Sequence, residues 1–156
     1  MKHGGRIRLF PTGQSEAGRK VPEERKVCET SFHVRYAETD SMGVVHHAVY
    51  LVWFEEGRSV YIREQGWSYA DIEKFGSYLA AGDLKAKYIR AARYDQRVTV
   101  KTWIESYRSR TLTFGCEIVD ARSNELLFEA SLKLICLNAA GQVRRIPKSW
   151  RAWLGP

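Results

Sequence analysis

The chain has 156 residues, of which 44% are hydrophobic and 28% charged, as in an ordinary globular domain with a substantial core. No run approaches the roughly 18 apolar residues of a membrane span, and the N-terminus lacks the apolar core of a secretory signal, so we expect a cytoplasmic protein without a membrane partner. Three cysteines without metal-ligand spacing argue against a disulfide framework and against a metal site.

The net charge of +7 is concentrated at the two ends of the chain. Residues 1–27 hold seven basic and three acidic residues among several glycines and prolines, and residues 144–156 hold four basic residues and no acid. We therefore predict a basic N-terminal extension over 1–27 and one domain over 28–156. Basic ends can meet nucleic acid or a phosphorylated small molecule, or can simply be solvated. Because the only stacking aromatics among the C-terminal charges are Trp150 and Trp153, we expect no nucleic-acid partner.

The first segment of the domain alternates between apolar and polar residues. Phe32, Val34 and Tyr36 share one side of the segment, and polar residues take the other. This period of two predicts a strand over Thr30–Tyr36 with one buried face.

A polar loop follows this strand and leads into the most apolar helix of the chain. The loop contains Asp40, whose carboxylate can bond to nearby backbone, and Gly43, which can adopt a positive φ. Downstream, apolar residues recur at the three-and-four spacing of a helical face. The spacing predicts a helix that begins near His47 or Ala48 and ends near Gln65. Its apolar residues spread beyond one stripe, so we expect it to be enclosed on most sides.

The junction of this loop and helix has the features of a site for acyl transfer. A helix start leaves backbone N–H groups unpaired and carries about half a positive charge, which suits a carbonyl oxygen that gains negative charge. The amide of His47 is the best-placed donor, and Asp40 lies within loop reach of it. Together they offer a base or nucleophile beside an oxyanion site.

The remainder of the chain predicts one short helix and four strands. Ser68 can cap a brief helix before the period changes to two. The predicted strands cover Ser77–Ile89 with an interruption at Gly82 and Asp83, Arg97–Tyr107, a strand around Leu112–Ile118 and a strand around Leu126–Cys136. This order indicates an α+β fold in which an antiparallel sheet of about five strands wraps around one long central helix. Open sheet edges favour a dimer formed edge to edge.

One motif spans the loop and the start of the helix, and it reads Tyr36-x-x-Thr39-Asp40-x-x-Gly43-x-Val45-x-His47-x-x-Tyr50-x-x-x-Phe54-Glu55. This motif resembles that of the hot-dog fold acyl-CoA thioesterases of the 4-hydroxybenzoyl-CoA thioesterase type. The order of strands agrees with the same family from about residue 30 to 149.

The resemblance implies hydrolysis of an acyl-CoA, or of an acyl carrier protein thioester, by a homodimer or homotetramer without a cofactor. Asp40 matches the family's catalytic aspartate, which acts as nucleophile on the thioester carbonyl or as base for water. His47 matches the residue whose amide polarises that carbonyl. Arg108 and Arg110 occupy the region in which basic residues of the family touch the phosphates of coenzyme A. The other residues of the motif that we expect in the substrate site are Tyr36 and Gly43.

Several of these residues have a second reading. Asp40 can merely form an Asx-turn, and His47 can act through its side chain or supply only its amide. Glu55 or Glu56 can be the catalytic acid, as in a second hot-dog lineage, or Glu55 can form an ion pair with a basic neighbour such as Arg58. If Asp40 is only a turn residue, the chain is a hot-dog protein that binds acyl-CoA without hydrolysing it.

Overall fold

The structure is a computed structural model that describes residues 25–154. The chain forms one antiparallel sheet of five strands in the order β1-β3-β4-β5-β2. The strands are β1 (Val27–His33), β2 (Tyr78–Tyr88), β3 (Arg97–Tyr107), β4 (Thr111–Asp120) and β5 (Leu126–Leu137). These bounds confirm the four strands predicted after the helix. The first 24 residues of the predicted basic extension lie outside the described residues.

In the part of the chain that the structure describes, three α-helices accompany the sheet, namely α1 (Val49–Glu64), α2 (Tyr69–Lys74) and α3 (Arg151–Leu154). The predicted cap of α2 is present, because Ser68 Oγ accepts from the Asp71 N–H at 3.1 Å. The Asp71 carboxylate accepts in return from the Ser68 N–H at 2.8 Å, which completes a capping box. Among residues 25–154, no helix has the length and apolar character needed to cross a membrane.

Helix α1 lies across one face of the sheet. Its buried face includes Tyr50 and Trp53, and Gly57 permits a close approach because a Cβ there would stand 2.3 Å from Thr102 Oγ1. The opposite face is open, since Val52 is 63% exposed. The prediction of a helix enclosed on most sides is therefore wrong for the single chain. The sheet covers one side of α1, and apolar residues on the other side stay in contact with solvent.

The first strand ends earlier than its prediction. β1 stops at His33, and Tyr36 begins a 3-10 turn over Tyr36–Glu38. Tyr36 is 78% exposed and does not belong to the inner face of the sheet. The turn forms because the Glu38 carboxylate accepts from the Arg35 N–H at 2.8 Å. Such local bonds between side chain and backbone compete with strand pairing.

Strand β2 runs along an open edge of the sheet and carries the predicted interruption. Its pairing with β5 shifts register between Ala81 and Asp83, on either side of Gly82. A Cβ at Gly82 would stand 2.7 Å from Ile135 Cδ1, so the position is closed to a side chain. Residues from Ala81 to Lys87 are exposed. Within residues 25–154, β2 therefore presents an unpaired edge.

Candidate active site

Backbone hydrogen bonds close the loop that carries Asp40. Thr39 and Val45 form an antiparallel bridge. Between them, the Asp40 N–H donates to Val44 O at 2.9 Å, and the Gly43 N–H donates to Asp40 O at 3.0 Å. Gly43 has a φ of 72°, which side-chain-bearing residues rarely adopt. Gly43 thus shapes the loop through its backbone.

The Asp40 carboxylate takes part in the Asx-turn and still has acceptor capacity. Asp40 Oδ1 accepts from the Met42 N–H at 2.8 Å, so the turn considered from the sequence is present. Within residues 25–154 this is the one hydrogen bond of the Asp40 side chain, whereas a carboxylate offers about four lone-pair sites. Burial raises the pKa of Tyr50, and the negative charge of Asp40 adds a smaller rise. Hydrogen bonds tie the loop to the first turn of α1, because the Val45 N–H donates to Ala92 O at 2.9 Å and the Ala92 N–H donates to Tyr50 Oη at 2.9 Å.

The residues before α1 leave one backbone donor unpaired. His47 and Ala48 form a turn ahead of the helix, so α1 begins slightly later than predicted. The helix has no side-chain cap, and no acceptor for the His47 N–H is found in the described part of the chain. The Ala48 N–H donates to His46 Nδ1 at 3.2 Å instead. The His47 N–H, which has no acceptor among the described residues, therefore lies at the positive end of the helix. There it can donate a hydrogen bond to a carbonyl oxygen.

Two tyrosines fix this helix start against the sheet. Tyr50 Oη accepts from the Ala92 N–H at 2.9 Å, and Tyr88 Oη donates to His47 O at 2.9 Å. Both rings pack on Phe128, with centroid distances of 5.2 Å from Tyr50 and 5.1 Å from Tyr88. The position of His47 is therefore set by β2 and β5 as well as by α1.

Glu38 is the residue of the site that sequence reasoning missed. Its side chain is 12% exposed, and its Oε1 accepts from Trp53 Nε1 of α1 at 3.0 Å. Its carbonyl oxygen accepts from the His46 N–H at 2.9 Å. Glu38 thereby joins the Asp40 loop to the helix and to the residue before His47. The spacing of Glu38 three residues after Arg35 is the signal of a capping interaction that could have revealed it.

Arg108 and Arg110 lie at the opposite end of the sheet from Asp40. Both are exposed residues of the β3–β4 hairpin. The Asp40 loop is joined to the other end of β3, where the Val45 N–H donates to Ala92 O at 2.9 Å. Because β3 has 11 residues, the two ends are roughly 30 Å apart. Within one chain, the structure does not bring these arginines to the Asp40 site. Tyr36 stays close to the loop, where it packs edge to face on Tyr94 with a centroid distance of 5.5 Å.

The acids of α1 have partners on the same helix. Glu55 lies 4.0 Å from the guanidinium of Arg58, at the ion-pair distance predicted from the sequence. Glu56 pairs with Arg63 at 3.2 Å. Both acids thus form ion pairs with a basic residue of the same helix.

The three cysteines are buried free thiols. Burial raises the pKa of Cys116 and of Cys136. Burial, together with a hydrogen bond to Glu64, raises the pKa of Cys28 to about 12. All three are thus protonated and unreactive at neutral pH. In the part of the chain that the structure describes, no three His, Cys, Asp or Glu side chains are grouped to hold a metal ion.

Residues 42–126 match the family model of the Thioesterase superfamily. The chain belongs to this superfamily, and its five-stranded α+β sheet with one long helix is the hot-dog fold. The protein is therefore a thioester hydrolase by class. His47 lies within the matched range, and Asp40 lies just ahead of it.

Two relatives and one solved structure are similar to this chain over most of its length. The chain is 38% identical over 112 residues to "Putative acyl-CoA thioesterase YneP" of Bacillus subtilis, a match that covers 72% of this chain and 80% of that protein. It is 32% identical over 117 residues to "Acyl-CoA thioester hydrolase YbgC" of Escherichia coli O157:H7, covering 74% and 87%. The solved structure of a DHNA-CoA thioesterase from Staphylococcus aureus superposes with a TM-score of 0.75 at 37% identity, covering 81% of this chain and 85% of that one.

Proposed function

We propose that the protein hydrolyses acyl-CoA thioesters to the free acid and coenzyme A. One observation carries the proposal: the His47 N–H has no partner within the described residues and lies at an uncapped helix start. The loop that carries Asp40 is tied to the same helix turn, because Val45 bonds to Ala92 and Ala92 bonds to Tyr50. A carboxylate and an aimed N–H donor are the groups that acyl transfer requires.

In the proposed reaction, the thioester carbonyl oxygen accepts a hydrogen bond from the His47 N–H. Asp40 then acts in one of two ways. Its carboxylate attacks the carbonyl carbon and forms an anhydride that water opens, or it takes a proton from a water molecule that attacks the carbon. In both routes the C–S bond breaks and the thiolate leaves with the bonding electrons. Because a thiol has a pKa of about 8.5, this leaving group needs no general acid.

A second function, binding of acyl-CoA without hydrolysis, is favoured by the Asx-turn. Asp40 Oδ1 already accepts from the Met42 N–H, so the aspartate has a structural role that does not require chemistry. Under this reading the His47 N–H still binds the carbonyl oxygen. The two functions differ in whether thiol is released.

We include a homodimer in the proposal because no other described strand pairs with the outer edge of β2. Antiparallel pairing of two β2 edges extends the sheet and brings the partner's β3–β4 hairpin to the end at which α1 begins. The partner's β4 then lies three strand spacings from β2, or about 14 Å. The hairpin residues Arg108 and Arg110 from the partner can thus contact the phosphates of a coenzyme A bound at Asp40.

The open face of α1, which includes Val52, offers a surface on which two such dimers can form the homotetramer.

We propose a cytoplasmic location as well, since the free thiols suit a reducing compartment.

Steady-state thiol release over a panel of aromatic and aliphatic acyl-CoAs, with matched acyl carrier protein thioesters, tests the proposal. We expect kcat/KM above about 10⁴ M⁻¹s⁻¹ for one acyl class on coenzyme A. Slow release from every thioester, with tight binding of some of them, would show that the protein is a binding module. A higher kcat/KM for the acyl carrier protein thioesters would show that acyl carrier protein, and not coenzyme A, is the carrier.

A further inference from the structure

No described element covers an apolar strip on the inner face of β2. Leu84 and Ala86 pair with Leu132 and Ala130 of β5, which belong to the buried inner row of the sheet. Leu84 is nevertheless 43% exposed, and Ala86 is exposed. Helix α1 packs mainly against β1, β3 and β4, so its edge and this strip border an open groove. The groove begins at Tyr88, beside the candidate active site.

One edge of α1 forms the helical wall of this groove. Leu51, Glu55 and Arg58 recur at spacings of four and three residues and therefore share an edge of the helix. The other edge faces β1, because Trp53 packs on Phe32 with a centroid distance of 5.5 Å. The first edge thus faces β2.

Arg58 is a buried cation with one short hydrogen bond and one long ion pair among the described residues. The residue is 9% exposed, and its Nη1 donates to Tyr69 Oη at 3.0 Å. Its Nε is buried without a partner among the described residues. Its Nη2 is directed toward Glu55, but the 4.0 Å separation is too long for a hydrogen bond and Glu55 is 71% exposed. Unpaired donors on a buried charge cost stability, so a ligand that accepts from them has a reason to bind.

The guanidinium lies at a defined distance from the reacting end of the groove. Its Cζ stands 5.4 Å from the ring centroid of Phe54, so the charge is level with Phe54 along α1. Phe54 is about two helical turns beyond His47, or roughly 10 Å along the axis. Tyr69, at the start of α2, lies beside the guanidinium, since its Oη accepts from Arg58 Nη1.

We propose that Arg58 and Tyr69 bind a hydrogen-bond-accepting oxygen, from a carboxylate or a hydroxyl, at the far end of the acyl group. The inference rests on the proposed function, because it places the acyl group in the groove that begins at the Asp40 site. A structural link between α1 and α2 would need only the hydrogen bond from Arg58 to Tyr69. Nη2, which has only the exposed Glu55 at 4.0 Å as its partner, is the donor that substrate can engage.

Matched acyl-CoA series test this inference. Hexanoyl, octanoyl and decanoyl thioesters are compared with chains of the same length that end in a hydroxyl or a carboxylate. We expect kcat/KM for one oxygen-ended series to exceed that of the methyl-ended series by about tenfold or more at the best length. In Arg58→Met this ratio falls to about 1, and in Tyr69→Phe it falls part of the way. Arg63→Met, on the exposed side of α1, is the matched control and keeps the wild-type ratio.

Binding of the same series to Asp40→Asn, measured by calorimetry, gives the ratio without turnover and tests the inference even if no thioester is hydrolysed. A wild-type ratio near 1, or an unchanged ratio in both Arg58→Met and Tyr69→Phe, would overturn it. If methyl-ended thioesters are hydrolysed while the ratio stays near 1, the proposed function stands and this inference fails alone. Arg58→Lys replaces Arg58→Met if the latter does not fold, and we expect it to lower the ratio because it lacks the planar fork.

Discussion

At the end of the sheet where α1 begins, hydrogen bonds from side chains fix the backbone. At the β3–β4 hairpin, by contrast, a backbone–backbone hydrogen bond closes the turn and the side chains are exposed. Glu38, Tyr50 and Tyr88 each bond to a neighbouring element around the Asp40 loop. In the hairpin, the Arg108 N–H donates to Thr111 O at 2.8 Å while the arginine side chains face solvent. The first arrangement suits chemistry that needs fixed geometry. The second suits contact with phosphates, which long cations make without strict positioning.

Removing Glu38 should lower both stability and activity at the end where α1 begins. Glu38→Ala leaves Trp53 Nε1 and the Arg35 N–H without their acceptor, which costs about 1–3 kcal/mol. We also expect kcat/KM to fall by about 10–100-fold, mainly in kcat, because the Asp40 loop loses its tie to α1. Urea unfolding and thiol release on the same preparation measure the two effects.

Glu56→Ala is the matched control for this variant, since it removes an exposed ion pair with Arg63 and should change both quantities little. Glu38→Gln keeps an acceptor for Trp53 Nε1 and should restore part of the activity. If Glu38→Ala loses stability but keeps the wild-type kcat, the tie does not position the catalytic groups.

At the exposed end, we expect a smaller effect that depends on salt. Replacing Arg108 and Arg110 together by Ala should raise KM for acyl-CoA about tenfold at low salt and less at high salt, because exposed charges are screened. Arg122→Ala, in the β4–β5 hairpin, is the control. The same variants are measured with an acyl-pantetheine thioester, which lacks the nucleotide phosphates. A rise in KM that depends on the phosphates should be absent with this substrate. An equal loss for both esters would contradict a phosphate contact.

The smallest expected effect concerns the hairpin that joins β4 to β5 near the ordered end. Hydrogen bonds from the Ser123 backbone and the Gln96 side chain lower the pKa of Asp120 from 3.8 to about 2. Since the folded pKa is the lower one, the ionised carboxylate stabilises the fold above about pH 4, and this contribution is lost as the pH falls toward 2. Urea midpoints between pH 5 and 2 should show a shallower acid loss in Asp120→Asn. Parallel curves for the two proteins would contradict this contribution.

The strands could be predicted from the sequence because their period of two is strict. Val98 and Val100 mark the inner face of β3, and the structure gives that strand the predicted bounds. The motif around Asp40 and His47 likewise indicated the loop and the helix start. These features depend on local pattern, which a single sequence displays.

The remaining features depend on contacts between distant elements. Tyr36 was wrongly placed in a strand because the bond from Arg35 to Glu38 redirects the chain after His33. Arg58 reads as one half of a surface ion pair, and its burial arises only when α2 folds back against α1. Sequence spacing cannot reveal such burial.

Asp40→Asn beside wild type tests the central claim most directly. Asparagine keeps an Oδ1 that can accept from the Met42 N–H, so the Asx-turn is retained while the charge and the nucleophile are removed. We predict a loss of at least about a hundredfold in kcat/KM on the best acyl-CoA, with the melting temperature nearly unchanged. A variant that releases thiol as fast as wild type would contradict the account, because Asp40 would then be a turn residue and hydrolysis would not depend on its carboxylate.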